Sequence, residues 1–293
     1  MCVFGPVITT MATPFDQYNQ VNMESLRKLI LHLIRHESSA IVVTAAAGEA
    51  PVLSVTERLR IWETAVDFAG PVVSVIASVG TNSTRRTLNN IKLAEEVGMD
   101  GLVIVTPYYN LPTQKGLIAH FKQAAQSTDL PILIHNAPQR TGIGLELETI
   151  AELMEEKNII GLVDCAPNLE LLNHVKVIAP PRFSIYTGDE RLYLENLKSG
   201  GCGVVGTASH VTGIQMAQIF ELFKKGRLSE AQALDKRLHP VYDEISRNPE
   251  PASIKAILNS MGMEAGSLRL PLMALDPFEE KELFEKIKHL IDE

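Results

Sequence analysis

The side chains of this sequence that could do acid–base, nucleophilic or carboxylate-binding chemistry stand just after short apolar runs. His135-Asn136 follows Pro131–Ile134 and leads to Arg140, Asp164-Cys165 follows Gly161–Val163, and Tyr108-Tyr109-Asn110 comes after Gly101–Thr106. An imidazole such as His135 suits general acid–base work near neutral pH. The alternative is a histidine that fills space while bonded to backbone. Arg140 can grip a carboxylate with two parallel hydrogen bonds, or simply pair with acid side chains at a rim. Tyr109 can donate a hydrogen bond or pack at a subunit contact. Side chains alternate along a strand, so if Val163 points inward, Cys165 shares its side and Asp164 does not. A nucleophilic Cys165 beside His135 is one reading, and an inert buried thiol is the other. His32 and His36 have metal-ligand spacing, but no third ligand accompanies them, so a metal site is not expected.

What could position these residues is a repeating unit. Runs rich in Val and Ile recur at 4–10, 40–45, 72–78, 101–106, 131–136, 159–163, 183–187 and 202–207, each followed by a stretch with helical spacing of apolar residues. Several runs are apolar throughout, as parallel strands covered on both faces should be. Ser54 with Glu57 three residues on predicts a capping box for the second helix. Eight βα units predict a parallel (β/α)8 barrel over residues 1–210, and the helix-only pattern that follows predicts a C-terminal extension over 211–293 packed on it. In such a barrel, chemistry belongs at the strand C-terminal ends. No G-x-G-x-x-G follows a strand, no phosphate-binding loop appears, and no lysine ends a strand.

Several segments together carry a resemblance. Gly48-Glu49 with Leu53, Glu57 and Arg58, Pro107-Tyr108-Tyr109-Asn110, Asn136-x-Pro138-x-Arg140-Thr-Gly142, Gly188-Asp189, Asn248-Pro-x-Pro251 and Leu270-Pro-Leu272 resemble the dihydrodipicolinate synthase and N-acetylneuraminate lyase family, from about residue 4 to 290. The resemblance implies an aldolase-type lyase barrel, a dimer or tetramer, that joins a lysine to pyruvate or another 2-oxo acid through an imine. No cofactor is implied. The imine lysine falls on Val163, its acidic neighbour on Asp164, the proton-transferring tyrosine on His135, and the carboxylate-binding hydroxyl pair on Ala46-Ala47. Tyr109 matches the tyrosine given by a neighbouring subunit. Substrate contacts are implied for Arg140, Ala46, Ala47, Gly48 and Val205. A valine has no lone pair, so imine chemistry is not available at that position. Lys115 is the only lysine expected near the upper rim, while Lys157, Lys176, Lys198 and Lys255 fall elsewhere.

Composition narrows the field further. The chain has 293 residues, 45% of them hydrophobic, and a net charge of −8. No run approaches the roughly 20 apolar residues of a membrane span, and without a basic cluster neither nucleic acid nor a membrane is an expected partner. Three cysteines, Cys2, Cys165 and Cys202, are too scattered for a disulfide framework, and no leader is visible, so a reducing cytoplasm is the expected location. Two functional readings stay open. One is an imine-free lyase acting on a small 2-oxo acid with His135, Tyr109 and Arg140. The other is a pseudoenzyme that binds a carboxylate metabolite or a protein partner.

Overall fold

The computed structural model describes residues 2–291. Strands β1 (Val7–Thr10), β2 (Ala40–Val43), β3 (Ser74–Ser78), β4 (Gly101–Val105), β5 (Ile132–Asn136), β6 (Ile159–Asp164), β7 (Ser184–Thr187) and β8 (Gly203–Gly206) close in sequence order into a parallel barrel. Between them lie α1 (Met23–Arg35), α2 (Val55–Ala69), α3 (Thr84–Val97), α4 (Gln114–Gln126), α5 (Pro138–Thr141), α6 (Leu147–Leu153), α7 (Glu170–Ile178) and α8 (Tyr193–Lys198). After β8 come α9 (Ser209–Lys224), α10 (Leu228–Ser246), α11 (Ala252–Ser260) and α12 (Pro277–Ile291). The capping box forms at α2, where Ser54 and Glu57 satisfy each other's backbone N–H. The one-turn helix α5 was not expected. It is set by Pro138 at its start and by Gly142, at φ +77°, at its end.

Backbone contacts group the chain into two units. One holds the residues up to Pro6 together with Ser74–Val205. Here the register places Val105 opposite His135, His135 opposite Val163, and Val163 opposite Tyr186. Residues paired in a parallel ladder face the same way, so these four form one row. The chain start lies against β8, with Val204 N–H donating to the Pro6 carbonyl at 3.0 Å.

That contact corrects the reading of the cysteines. Cys2 and Cys202 are joined by a disulfide, although 200 residues separate them, because ring closure of the sheet returns the eighth strand to the N-terminal segment. Spacing along the chain carries no trace of such a closure. Cysteine usage therefore gives no support to a reducing compartment. No helix among the described residues is long and apolar enough to cross a membrane.

The other unit combines Val7–Val73 with the residues from Gly206 onward, so the helices after β8 cluster with the first two strands. Inside it, the Thr9 hydroxyl lies 2.6 Å from that of Ser38 and 2.8 Å from that of Ser209, linking β1 to the loop before β2 and to α9. His32 donates from Nε2 to the His210 carbonyl at 2.7 Å, and His36 Nδ1 bonds the His32 carbonyl. The pair with metal-ligand spacing is thus stacked ring on ring and spent on backbone oxygens.

Candidate active site

At the carboxyl ends of β5 and β6, strand alternation brings two of the flagged side chains together. His135 Nε2 lies 3.1 Å from Cys165 Sγ. Cys165 stands two residues beyond Val163, hence on the same face, and Val163 is fully covered beneath it. Gly188 makes room for the thiol: a Cβ there would overlap Sγ, so a side chain on β7's exit would displace it. Asp164 points the other way, and its Oδ1 accepts a 2.7 Å hydrogen bond from Asn136 Nδ2. Asn136 in turn accepts from the Leu145 N–H, which ties the loop after α5 to the strand.

Burial pushes the His135 imidazole down to about 4, and the charge of the nearby Arg140 adds to the effect. The ring is therefore neutral at pH 7. With its proton on Nδ1, Nε2 is an acceptor for the thiol hydrogen. Arg140 itself sits exposed on α5, with its charge close enough to act on the imidazole. A neutral base and a thiol thus lie side by side, with a cation near enough to act on the base. Such a group can bind a carboxylate and move a proton.

The remaining flagged residues are placed differently. Tyr109 is 90% exposed at φ +75°. Val205 is buried, two residues beyond Gly203, the partner of Tyr186, and so faces as that row does. Lys115 is exposed in the first turn of α4.

In the other unit, the loop after β2 is held in a shape that few residues adopt. Thr44 and Glu49 both have φ +53°. Gly48 packs so that a Cβ would press on the Thr44 backbone and the Met11 carbonyl. Thr13 donates to the Gly48 carbonyl at 2.8 Å, and Trp62 Nε1 donates to Thr44 Oγ1 at 2.8 Å. Ala46 is exposed and Ala47 is buried; neither offers a polar group to a ligand.

What anchors this loop was missed in the sequence. Glu49 is buried and accepts from Lys255 Nζ at 2.7 Å and from the Arg269 N–H at 2.9 Å. Lys255 also donates to the Ser267 carbonyl and lies 4.1 Å from the Phe15 ring centre. Burial, working against the attraction of Glu49, lowers the Lys255 ammonium to about 8. That is the acidity an imine-forming amine needs, yet its side chain is 1% exposed and locked in an ion pair. The lysine is a structural tie. Its only sequence signal was an unpaired charge within an apolar helix.

Comparison with known proteins agrees with this architecture. The model of the Dihydrodipicolinate synthetase family matches residues 3–290. The chain is similar to 4-hydroxy-tetrahydrodipicolinate synthase 1 of Halalkalibacterium halodurans, at 39% identity over 95% of either chain. It is also similar to the 4-hydroxy-tetrahydrodipicolinate synthase of Bacillus subtilis, at 36% identity over 98% of this chain and 99% of the other. Among solved structures, a dihydrodipicolinate synthase of Bacillus anthracis superposes with a TM-score of 0.95 at 34% identity, covering 98% of this chain and 99% of that one. The Cyanidioschyzon merolae enzyme, solved with lysine bound, gives 0.96 at 34% identity over 99% of each chain.

Proposed function

The chain belongs to the dihydrodipicolinate synthetase family of lyases, and from that premise we propose that it takes a small 2-oxo acid, or a related carboxylate, without forming an imine. The observation that carries this reading is the row of paired residues at the strand ends. Valine stands at position 163, between His135 and Tyr186, where the resemblance expects a nucleophilic amine. Arg140 is the carboxylate anchor, and His135 is the group able to move a proton. The relatives' synthase activity does not carry over, because its first covalent step has no amine to begin it. Borohydride reduction in the presence of pyruvate should leave the protein mass unchanged. A stable pyruvyl adduct on any lysine would overturn the proposal.

One observation favours a non-catalytic version. The lysine, the tyrosine and the hydroxyl pair implied by the resemblance are replaced together, by Val163, His135 and Ala46-Ala47. A chain that keeps the scaffold and changes all of these fits a binding protein as well as it fits an enzyme. Steady turnover of an aldol substrate by the purified protein would exclude that version. Association with a second copy is read from Tyr109 and Leu111, which are 90% and 56% exposed and both at positive φ, at 75° and 43°. Exposed large side chains held at positive φ suit a surface that a partner covers.

A further inference from the structure

We infer that Cys165 and His135 form a carbonyl-capturing pair, in which the thiol adds reversibly to the carbonyl carbon of a small 2-oxo acid to give a thiohemiketal. The inference rests on the reading of a 2-oxo acid site given above. Its geometric basis is independent of the missing lysine. A thiol and an imidazole nitrogen lie 3.1 Å apart at adjoining strand ends, which is the spacing that defines an activated nucleophile. The absent Cβ of Gly188 leaves the sulfur its position. The thiol is only partly covered, and it lies outside the disulfide that joins Cys2 to Cys202.

The step balances without any further reagent. Sγ attacks the carbonyl carbon, the S–C bond forms, and the π pair moves onto oxygen. The thiol hydrogen passes to His135 Nε2 and from there to that oxygen. The net change is addition of S–H across C=O, with nothing oxidised and nothing expelled. Arg140 receives the adjacent carboxylate. That arrival also strengthens the base: part of what keeps His135 a weak base is the Arg140 charge, and a bound carboxylate offsets it. The pair therefore becomes competent when its ligand is in place.

The test uses the whole protein, unreduced, so that alkylation reports Cys165 alone. Pyruvate labelled isotopically at its carbonyl carbon should give, on addition of protein, a new tetrahedral-carbon resonance distinct from that of free pyruvate hydrate. Cys165→Ala and Cys165→Ser should lose that resonance while keeping the melting temperature of the unliganded protein. Pyruvate at ten times its Kd should slow iodoacetamide alkylation of the wild type by on the order of tenfold, and His135→Gln should lose the resonance although Cys165 remains. If no new resonance forms and the alkylation rate ignores pyruvate, the thiol inference is wrong. A pyruvate-induced rise in melting temperature that survives in Cys165→Ala would then leave the 2-oxo acid reading standing. Absence of that rise in wild type as well would remove both.

Discussion

Lys255→Met should expose how much the Gly48-Glu49 loop depends on a single buried charge. The pair is closed to solvent on both sides, with side-chain exposures of 1% for Lys255 and 0% for Glu49. Removing one member of such a pair costs about 3–5 kcal/mol, because the other charge is left without compensation. Glu49 keeps the Arg269 N–H at 2.9 Å, which argues for the lower end, about 3 kcal/mol. At roughly 2–4 °C per kcal/mol for a large domain, the midpoint of thermal unfolding should fall by about 6–12 °C. Glu49→Gln should cost less, and its cost should depend on pH. The folded Lys255 ammonium, already lowered to about 8 from an ordinary 10.5, loses the attraction that sustained it and can release its proton. The sign follows from linkage: a lysine whose folded pKa is depressed burdens the native state fully below that pKa, and the burden fades as pH rises toward 10.5. Glu49→Gln should therefore be milder at pH 9 than at pH 6. Adding Glu49→Gln to Lys255→Met should recover part of the loss, since no unpaired charge remains. Thermal melts of the four proteins form a double-mutant cycle. A drop under 2 °C for Lys255→Met, or strictly additive effects, would refute the claim that the pair anchors the loop.

Further outcomes follow from the histidines, the strand ends and the cysteines. His120, His135 and His210 are each pushed down to about 4 by burial, from an ordinary 6.5. The native state thus resists their protonation, so stability is full above pH 6.5 and declines as pH falls toward 4. For the fully buried His210, whose Nε2 accepts from the Ala12 N–H while Nδ1 donates to the Thr207 carbonyl, the loss near pH 4.5 should be ~2–3 kcal/mol. His210→Gln should flatten that part of the profile in denaturant titrations, and an unchanged slope would contradict it. Val163→Lys should restore borohydride-trappable pyruvate on the protein, and a wholly unreactive variant would mean that position 163 does not face the ligand. Arg140→Ala should abolish the thermal shift given by 2-oxo acids and raise the His135 pKa in NMR titration; equal shifts in both proteins would remove Arg140 as the anchor. Alkylation of the denatured, unreduced chain should count one thiol, and after reduction all three of its cysteines.

The eight strands could be read from the chain because buried parallel strands are continuous apolar runs, and those runs survive as β1 to β8 with their ends trimmed, except β6, which runs one residue further to Asp164. Alternation alone put Cys165 on the side of Val163, whereas its meeting with His135 depends on the register of β5 against β6, which pairs His135 with Val163. The failures share a cause of a different kind. Cys2 with Cys202, and Glu49 with Lys255 across 206 positions, are pairings made by ring closure and by packing of the last helices, and neither leaves a local period. Tyr109 was legible as a residue but not as an orientation: its positive φ belongs to a loop whose conformation has no sequence spacing to betray it.

The chemistry open to this barrel is narrower than the return of a nucleophile would suggest. A protonated imine draws electrons from the neighbouring carbon, which is how an aldolase lysine makes that carbon acidic enough to form a bond. A thiohemiketal has a tetrahedral carbon with no such pull. Cys165 can therefore hold a 2-oxo acid but cannot replace the amine as an electron sink. Any carbon–carbon step would need the free carbonyl, with His135 as base. A base with a pKa of about 4 is poorly matched to that proton at neutral pH. Capture and turnover thus compete for the same carbonyl, and the present side chains favour capture. Val163→Lys bears on this balance directly: an amine at that position would contend with Cys165 for pyruvate, and Val163→Lys with Cys165→Ala should trap more imine than Val163→Lys alone. Equal trapping in the two would show that the thiol never engaged the ligand.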